Sequence, residues 1–328
     1  MDNIKNLWAK EGSITFLLCL ALVTTLSIQS SIFWTTDNLN SLQAIIAPTA
    51  IVAFGMVLLL ICGVFDLSVG AIMVFSGILC AKMFEMNLPV PVVILIGLLA
   101  GTLIGLFNGV LVGILKINSL IATIGTLNIF QGIAMILFAG SHKGQAEYQT
   151  AIKLPENFIW IGTGKFLGLY NMFWIMLALL ILISLFQRYS PVGRQMYLAG
   201  DNPEAAKLMG FDTPRIIMLT FTFTGFLCAI AGILSVARFG QANRYLGEGI
   251  NITTIISCLL GGASFAGGRG SAIGTIFGVI CMCLFTNLFN LLEVTSTWQS
   301  VVVGSILIMV VSIDGYLILK KQRELGKI

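Results

Sequence analysis

Long apolar runs alternate with short polar turns along almost the whole chain. Several runs exceed the roughly 18–20 residues that a helix needs to cross the hydrocarbon core of a bilayer. The pattern therefore predicts an all-α, polytopic membrane protein of about ten transmembrane helices, built as a single transmembrane domain over residues 1–328. The predicted spans are 13–33, 43–62, 69–84, 90–114, 118–139, 171–187, 216–236, 250–262, 272–291 and 298–319.

The composition also indicates a membrane protein. Of the 328 residues, 57% are hydrophobic and 10% are charged, whereas soluble domains average about 45–50% apolar and about 25% charged residues. These are too few polar side chains to cover a soluble globule. The first apolar run follows Lys5 and Lys10, as in a signal peptide. However, the run is long and no small-residue cleavage site follows it, so we expect it to remain as a membrane span.

Residues that carry catalytic or metal-binding chemistry are sparse. All seven cysteines lie in apolar segments without a CxxC pair, and the single histidine, His142, lies in a polar loop. The chain has no GxxxxGK[ST] phosphate-binding loop and no HExxH or GxSxG motif. We therefore expect no cofactor, no metal site and no enzymatic activity. The net charge of +4 gives no reason to expect nucleic acid as a partner.

The basic residues are distributed unevenly between alternate loops. With both termini in the cytoplasm, twelve of the eighteen Lys and Arg residues fall on the cytoplasmic side, as the positive-inside rule favours. This orientation places the loop 187–215 in the cytoplasm and the loop 140–170 outside. The outer loop either docks a partner or covers the mouth of the protein, and the sequence leaves both interpretations open.

The loop 187–215 is a charged island between apolar spans, and it contains a short helix with its own start and stop signals. The side chain of Asn202 is suited to cap this helix, and Pro203 occupies the first helical position. Gly210 follows where a left-handed residue commonly ends a helix. The predicted helix, 203–209, has about two turns and a length of roughly 10 Å.

The side chains of this helix indicate what it contacts. Glu204 near its start and Lys207 near its end both match the helix dipole. Its apolar face, Leu208 and Met209, is too small for firm anchoring in lipid. We therefore favour docking to another protein over an interfacial helix that lies on the membrane. Thr213-Pro214 then repeats the cap-plus-proline pattern and predicts the start of the next span.

Glycines recur at four-residue spacing in two of the spans. The first series is Gly101, Gly105, Gly109 and Gly113, and the second is Gly270, Gly274 and Gly278. This spacing places glycines on one helix face, where they let a neighbouring backbone approach closely. Tight helix packing is the favoured interpretation, and lining of a solute pathway is the alternative.

Three short strings resemble the signatures of a known transporter family. Glu204-Ala205-Ala206-x-x-x-Gly210 resembles the EAA-x-x-x-G signature of bacterial ABC importer permeases. The string 65–70, FDLSVG, resembles the GIDLSVG string of the ribose, xylose and galactoside permeases, a family that includes autoinducer-2 permeases. The string 261–270, GGASFAGGRG, resembles that family's GGxSLxGGxG. Their order and spacing fit across nearly the whole chain, with one departure: Val64 stands where the family usually has glycine.

The resemblance implies the membrane subunit of an ATP-driven ABC importer for a monosaccharide or similar small polar solute, in the inner (plasma) membrane of a bacterium. It implies as partners ATP-binding cassette ATPase subunits, a second permease copy or homologue, and a periplasmic or lipid-anchored solute-binding protein. Since the chain has no nucleotide site, ATP hydrolysis would fall to the ATPase. The coupling residues implied are Asn202, Pro203, Glu204, Ala205, Ala206, Lys207 and Gly210.

Two turns are candidates for a gate. Asp66 either caps the third span, accepting from the N–H of Ser68 or Val69, or helps to shape an inner gate. The turn 261–270 contains five glycines, which allow unusual backbone angles, and it is either a hinge or re-entrant gate or a plain turn. The gate and turn residues are Asp66, Leu67, Ser68, Gly70, Gly261, Gly262, Ser264, Gly267, Gly268 and Gly270.

An ion-coupled secondary transporter is the alternative function. Such a protein needs intramembrane acids that serve as ion ligands. Only Asp66 and Asp314 come close to this requirement, and both lie near the ends of spans. The sequence therefore favours the importer.

A pathway for a hydroxyl-rich solute needs polar groups within the spans. The substrate-pathway candidates are Thr126, Asn128, Gln131, Asn287 and Asn290, with Thr123 and Gln299 as further polar residues and Phe130 or Trp298 as rings that could stack on a sugar. For each residue alone, an interhelical hydrogen bond is the favoured alternative.

Overall fold

The computed structural model describes residues 2–139, 154–243 and 245–324, so His142 and the first part of the loop 140–170 lie outside the described residues. Its helices are α1 (Asp2–Gln29), α2 (Thr36–Ile61), α3 (Val69–Glu85), α4 (Val90–Gly109), α5 (Ser119–Ala139), α6 (Glu156–Thr163), α7 (Asn171–Tyr189), α8 (Pro191–Asp201), α9 (Pro203–Leu208), α10 (Thr213–Phe239), α11 (Ile250–Leu260), α12 (Ala272–Leu291) and α13 (Ser296–Glu324). A π-helical turn, Val110–Ile114, continues α4. Two short strands, β1 (Lys165–Phe166) and β2 (Leu169–Tyr170), form an antiparallel hairpin.

Seven of the described helices are long and apolar enough to cross a membrane. They are α2, α4 with its π-helical turn, α5, α7, α10, α12 and α13. The prediction of an all-α, polytopic membrane protein is confirmed at this level. The other three predicted spans coincide with α1, α3 and α11. Of these, α3 has 17 residues and α11 has 11, and the apolar part of α1 is Thr15–Gln29.

The central helix of the bundle is α2. It is apolar on all sides, and every residue from Ala47 to Ile61 is buried, as expected of a helix that other helices surround. The helices α7, α10, α11 and α12 pack around it. In contrast, α5 and α13 leave large apolar side chains such as Ile136 and Ile308 exposed, which is the surface expected of helices that face lipid or another subunit.

The two ends of α2 define the two ends of the molecule. Near its first turns, the Tyr170 N–H donates to Gln43 Oε1 at 3.0 Å, so the β-hairpin packs there. At its last residue, Ile61, lie α8 and the turn 261–270. We call these two regions the hairpin end and the α8–α9 end.

The first glycine series packs α4 against α10, as predicted. A Cβ on Gly101 would lie 2.8 Å from the Gly225 carbonyl oxygen, and one on Gly113 would lie 2.6 Å from the Pro214 carbonyl oxygen. The two glycines between them face the α10 backbone in the same way. These contacts confirm the interpretation as close helix packing.

The second glycine series is only partly as predicted. Gly274 and Gly278 contact the backbone at the end of α11, but Gly270 lies in the preceding turn with a φ of 140°. The helix α12 begins at Ala272 because Ser271 caps it, its Oγ accepting from the Gly274 N–H at 3.0 Å. The prediction that all three glycines share one helix face is therefore wrong.

Candidate functional site

The charged island folds as two helices rather than one. α9 has the predicted cap, in which Asn202 Oδ1 accepts from the Ala205 N–H at 2.9 Å, and it ends one residue earlier than predicted. Gly210 follows with a φ of 83°, as a left-handed stop requires. The preceding helix α8 was not predicted, although Ser190-Pro191 at its start is the same cap-plus-proline pattern.

α9 projects from the rest of the molecule. Ala206 is its only buried residue, whereas Glu204, Lys207 and Leu208 are exposed. The side chain of Leu208 is 90% exposed and Met209, just after the helix, is 54% exposed. The projecting surface thus combines two charges of opposite sign with two apolar side chains, which suits contact with a folded protein.

The start of α10 differs from the prediction. Asp212 is the capping residue, with Oδ1 accepting from the Arg215 N–H at 3.2 Å and Oδ2 lying 2.9 Å from Arg215 Nε. Thr213 is already helical, and Pro214 follows it in the first turn. The prediction of Thr213 as the cap is wrong because a carboxylate one residue earlier, that of Asp212, accepts from the free N–H of Arg215.

The end of α8 is in backbone contact with the bundle. The space beside Gly200 is so narrow that a Cβ there would overlap the Ile61 carbonyl oxygen and lie 2.7 Å from the Gly268 nitrogen. The Gly268 N–H itself donates to the same carbonyl oxygen at 2.9 Å, and a Cβ on Gly267 would lie 2.6 Å from the Gly200 carbonyl oxygen. The last turn of α8, the last turn of α2 and the turn 261–270 therefore meet at one point. Asp201, the last residue of α8, lies directly against Gly268 of the glycine turn, and the predicted coupling helix begins two residues after it.

The glycine turn needs its glycines. Gly262, Gly267, Gly268 and Gly270 all have φ between 71° and 140°, a region that side chains disfavour. Gly261 has an ordinary φ of −74°, and close packing against Gly274 is what requires a glycine there.

Two side chains from other helices hold this turn. Ser264 Oγ and the Phe265 N–H each donate to Asp314 Oδ2 on α13, both at 3.1 Å. From α8, the Tyr197 hydroxyl donates to the Gly270 carbonyl oxygen at 2.7 Å. Burial raises the pKa of Tyr197 above its usual value, which further favours the neutral hydroxyl that donates this bond. The turn is therefore tied to both α8 and α13.

The Asp66 turn is a second buried polar cluster. Asp66 is fully buried, and its Oδ1 accepts from both the N–H (2.7 Å) and the hydroxyl (2.6 Å) of Ser68. Asn108 on α4 donates to Asp66 Oδ2 at 3.2 Å, and Thr123 on α5 accepts from the Leu67 N–H at 3.1 Å. The predicted bond from the Ser68 N–H is confirmed, but the N-cap residue of α3 is Ser68 and not Asp66, which lies two residues before it. These donors offset the cost of burying a carboxylate.

The two acids that an ion-coupled transporter would need are both engaged in turns. The carboxylate of Asp66 accepts from the residues that begin α3, and that of Asp314 accepts from the glycine turn. In each case the bonded groups include a backbone N–H and a serine hydroxyl. Both acids thus have a structural use, and neither is a free ion ligand.

The predicted pathway residues do not line one common space. Asn287 and Asn38 form a reciprocal amide pair between α12 and α2, with distances of 2.7 and 3.3 Å. Asn290 accepts from Gln299 at 3.0 Å, and this bond holds the turn between α12 and α13. Thr126 and Asn128 bond to carbonyl oxygens of their own helix, α5.

Gln131 differs from these residues because it lines a cleft of about 230 Å³ between α3, α5 and the start of α11, which we call the α3–α5 cleft. Leu67 and Gly70 of the predicted gate also line it. Other lining residues are Tyr245, Glu248 and Asn251, which the sequence analysis did not single out. One predicted pathway residue and two predicted gate residues thus share a cavity.

The central part of the chain matches a protein family. The model of the family described as branched-chain amino acid transport system / permease component matches residues 38–311. The chain belongs to this permease family. The matched region of the permease contains both turns, α8, α9 and the cleft.

Curated relatives of the permease align along nearly the full chain. The ribose import permease protein of Haemophilus influenzae is 31% identical over 94% of each chain. The ribose import permease protein of Bacillus subtilis is 31% identical over 91% of each chain. The L-arabinose transport system permease protein of Escherichia coli is 31% identical, covering 94% of the permease and 92% of the relative. No solved structure matches the permease.

The permease's departure from the family string has a local explanation. Gly63, one residue before Val64, has a φ of 76° and supplies a left-handed residue to the turn after α2. A backbone that needs its left-handed residue at position 63 has no need for glycine at position 64. Val64 is half-buried against the central apolar core instead.

Proposed function

We propose that the permease is the membrane subunit of an ATP-driven ABC importer for a monosaccharide or similar small polar solute. The observation that carries this proposal is the exposed, capped helix α9, which α8 joins to the ends of α2 and the glycine turn. The names of the relatives support a sugar as the solute, since they are ribose and L-arabinose permeases. The proposed coupling residues are those of 202–210 named above.

The proposed topology has ten spans in one transmembrane domain, with both termini in the cytoplasm of a bacterium and the protein in its inner membrane. The seven longer spans are then joined by three further spans, α1, α3 and α11. The α8–α9 end faces the cytoplasm. The hairpin end faces outwards, where a solute-binding protein would deliver the solute. The excess of basic residues on the α8–α9 side supports this orientation.

The proposed partners follow from the missing nucleotide site and from the exposed surface of α9. It has no phosphate-binding loop of its own, so two ATPase subunits would supply the energy, each contacting one α9. A second permease copy or a homologue would complete the pathway. The exposed Glu204, Lys207, Leu208 and Met209 provide charges and apolar area for the ATPase contact.

Contact between backbones is the proposed means of coupling. Gly200 has no side chain that could give way, so a displacement of α8 and α9 by the ATPase would be passed directly to the carbonyl end of α2 and to the glycine turn. The Asp66 turn follows α2 within a few residues and would move with it. In this mechanism the two turns act as an inner gate, and alternating access results when α8 and α9 move together as a rigid body.

Reconstitution in liposomes tests this proposal. The permease is assembled with its ATPase and binding protein, and uptake of labelled neutral sugars is measured with ATP inside or with an imposed proton or sodium gradient. We expect uptake that depends on ATP, on the ATPase and on the binding protein, with no response to the gradient. Gradient-driven uptake by the permease alone would contradict the proposal and would support the secondary transporter.

A further inference from the structure

A non-helical segment enters the helix bundle beside the α3–α5 cleft. Residues 245–249 precede α11, and Gly249 at their end has a φ of 72°. Gly247 packs against α3 so closely that a Cβ on Gly70 would lie 2.5 Å from the Gly247 carbonyl oxygen. Non-helical backbone at membrane depth is tolerated only where protein buries it or where it lines a water-filled cavity, and here it forms one wall of the cleft.

The cleft lies beside the middle of α5 and the first turns of α3. Gln131 is about 18 Å along α5 from Ser119, at 1.5 Å per residue. α11 starts at the cleft and has 11 residues, so it covers only about half of a hydrocarbon core of roughly 30 Å. A discontinuous helix that begins at mid-depth is a common way to build a solute site in transporters.

Three polar side chains of the cleft have hydrogen-bonding capacity to spare. Across the described parts of the chain, no hydrogen bond engages the side chains of Gln131, Glu248 or Asn251. The other predicted pathway residues bond to protein groups, as described above. The amides of Gln131 and Asn251 can both donate and accept, and Glu248 can accept through two oxygens.

The charges of the cleft do not suit an anionic solute. Glu248 would repel an anion, and the described lining residues include no lysine or arginine to attract one. Glu248 lies just before the N-terminus of α11, whose cap Gly249 offers no side chain, so N–H donors and a carboxylate acceptor lie side by side. A hydroxyl group matches this pair because it donates and accepts at once. The ring of Tyr245 adds an apolar face for C–H groups.

We propose that the α3–α5 cleft is the solute-contact site of the pathway and that Gln131, Tyr245, Glu248 and Asn251 bind a neutral, polyhydroxylated solute there. The volume of about 230 Å³ is below the roughly 300–1,000 Å³ of sites for drug-sized ligands, so the solute is small. This inference rests on the proposed importer function and adds the place and the chemistry of solute contact.

Uptake by cleft variants tests the inference in the reconstituted importer. The probes are a panel of neutral pentoses, hexoses and pentitols, with L-leucine and a sugar phosphate for comparison. The substitutions Gln131→Leu, Glu248→Gln and Asn251→Leu are each expected to lower uptake of the best neutral probe at least tenfold. ATP hydrolysis stimulated by the binding protein should stay within twofold, because the ATPase contact is untouched. Thr102→Val and Glu156→Gln, which remove a hydroxyl and a carboxylate outside the cleft, should transport normally.

Thiol labelling provides a direct measure of occupancy that does not depend on transport. All seven native cysteines are buried, so a Gln131→Cys thiol should react first with N-ethylmaleimide. We expect the best neutral probe to slow this reaction at least threefold. Normal uptake by all three cleft variants, labelling that is indifferent to the neutral probe, or transport of L-leucine or the sugar phosphate in preference to the neutral panel would overturn the inference. A wild-type importer without any ATP-driven uptake would instead refute the proposed function itself.

Discussion

Replacing Glu204 by arginine is expected to reduce ATP-driven uptake to below about a hundredth of the wild-type rate. Glu204 is exposed in the first turn of α9, so the substitution reverses the charge of the surface proposed to meet the ATPase. A penalty of about 3 kcal/mol from like charges lowers affinity roughly a hundredfold. The positive end of the helix dipole would add a smaller cost, about 0.3–1 kcal/mol. Uptake in liposomes, with the affinity of the binding protein for its solute as an internal reference, measures the effect.

The control for this substitution is a glutamate that also lies in the first turn of a helix, at the hairpin end. Glu156 is exposed in the first turn of α6, and Glu156→Arg should leave ATPase binding unchanged. Glu204→Gln, which removes the charge without reversing it, should have an intermediate effect. Full uptake by Glu204→Arg would show that α9 is not the contact through which ATP acts.

Replacing Gly200 by alanine is expected to separate ATP hydrolysis from transport. The added Cβ would overlap the Ile61 carbonyl oxygen, so the end of α8 must move away from α2 and the glycine turn. We expect uptake to fall at least tenfold while the ATPase still binds and hydrolyses ATP, because α9 itself is unaltered. Overpacking of this kind costs about 1–3 kcal/mol, so the variant should also unfold at lower temperature in detergent.

A glycine in open space provides the matched control. No heavy atom lies within 4 Å of a Cβ built on Gly304 in α13, and Gly304→Ala should therefore leave both uptake and unfolding temperature near wild type. Gly200→Ala with coupled, wild-type uptake would contradict the proposed backbone contact as the route of coupling. Loss of ATPase binding by the same variant would also contradict it, since the predicted defect lies after that step.

The features predicted correctly from the sequence are those that depend on neighbouring residues. Asn202 caps α9 through an N–H three residues away, and Asp66 accepts from an N–H two residues away. The wrong cap at Thr213 shows the limit of this reasoning, since Asp212 competes for the same N–H groups. α8 was not predicted because its sequence mixes charges, glycines and apolar residues without the long apolar run of a span.

The features that were not predicted depend on residues far apart in the chain. Asp314 holds the glycine turn across 49 residues, Asn287 meets Asn38 across 249 residues, and Gly200 meets Ile61. No local pattern indicates which amide pairs with which, so Asn287 and Gln131 looked equivalent as pathway residues. The lone Glu248, in the break between two predicted spans, was the available signal for the cleft.

Thiol protection at α9 is the most direct test of the claim that the ATPase acts through this helix. Leu208 is 90% exposed and Leu167 in the hairpin is 78% exposed, so Leu208→Cys and Leu167→Cys should both react quickly with a maleimide in the detergent-solubilised permease. Addition of the ATPase subunits is predicted to slow labelling at position 208 at least tenfold and to leave position 167 unchanged. Equal labelling at position 208 with and without a bound ATPase would contradict the coupling role of α9.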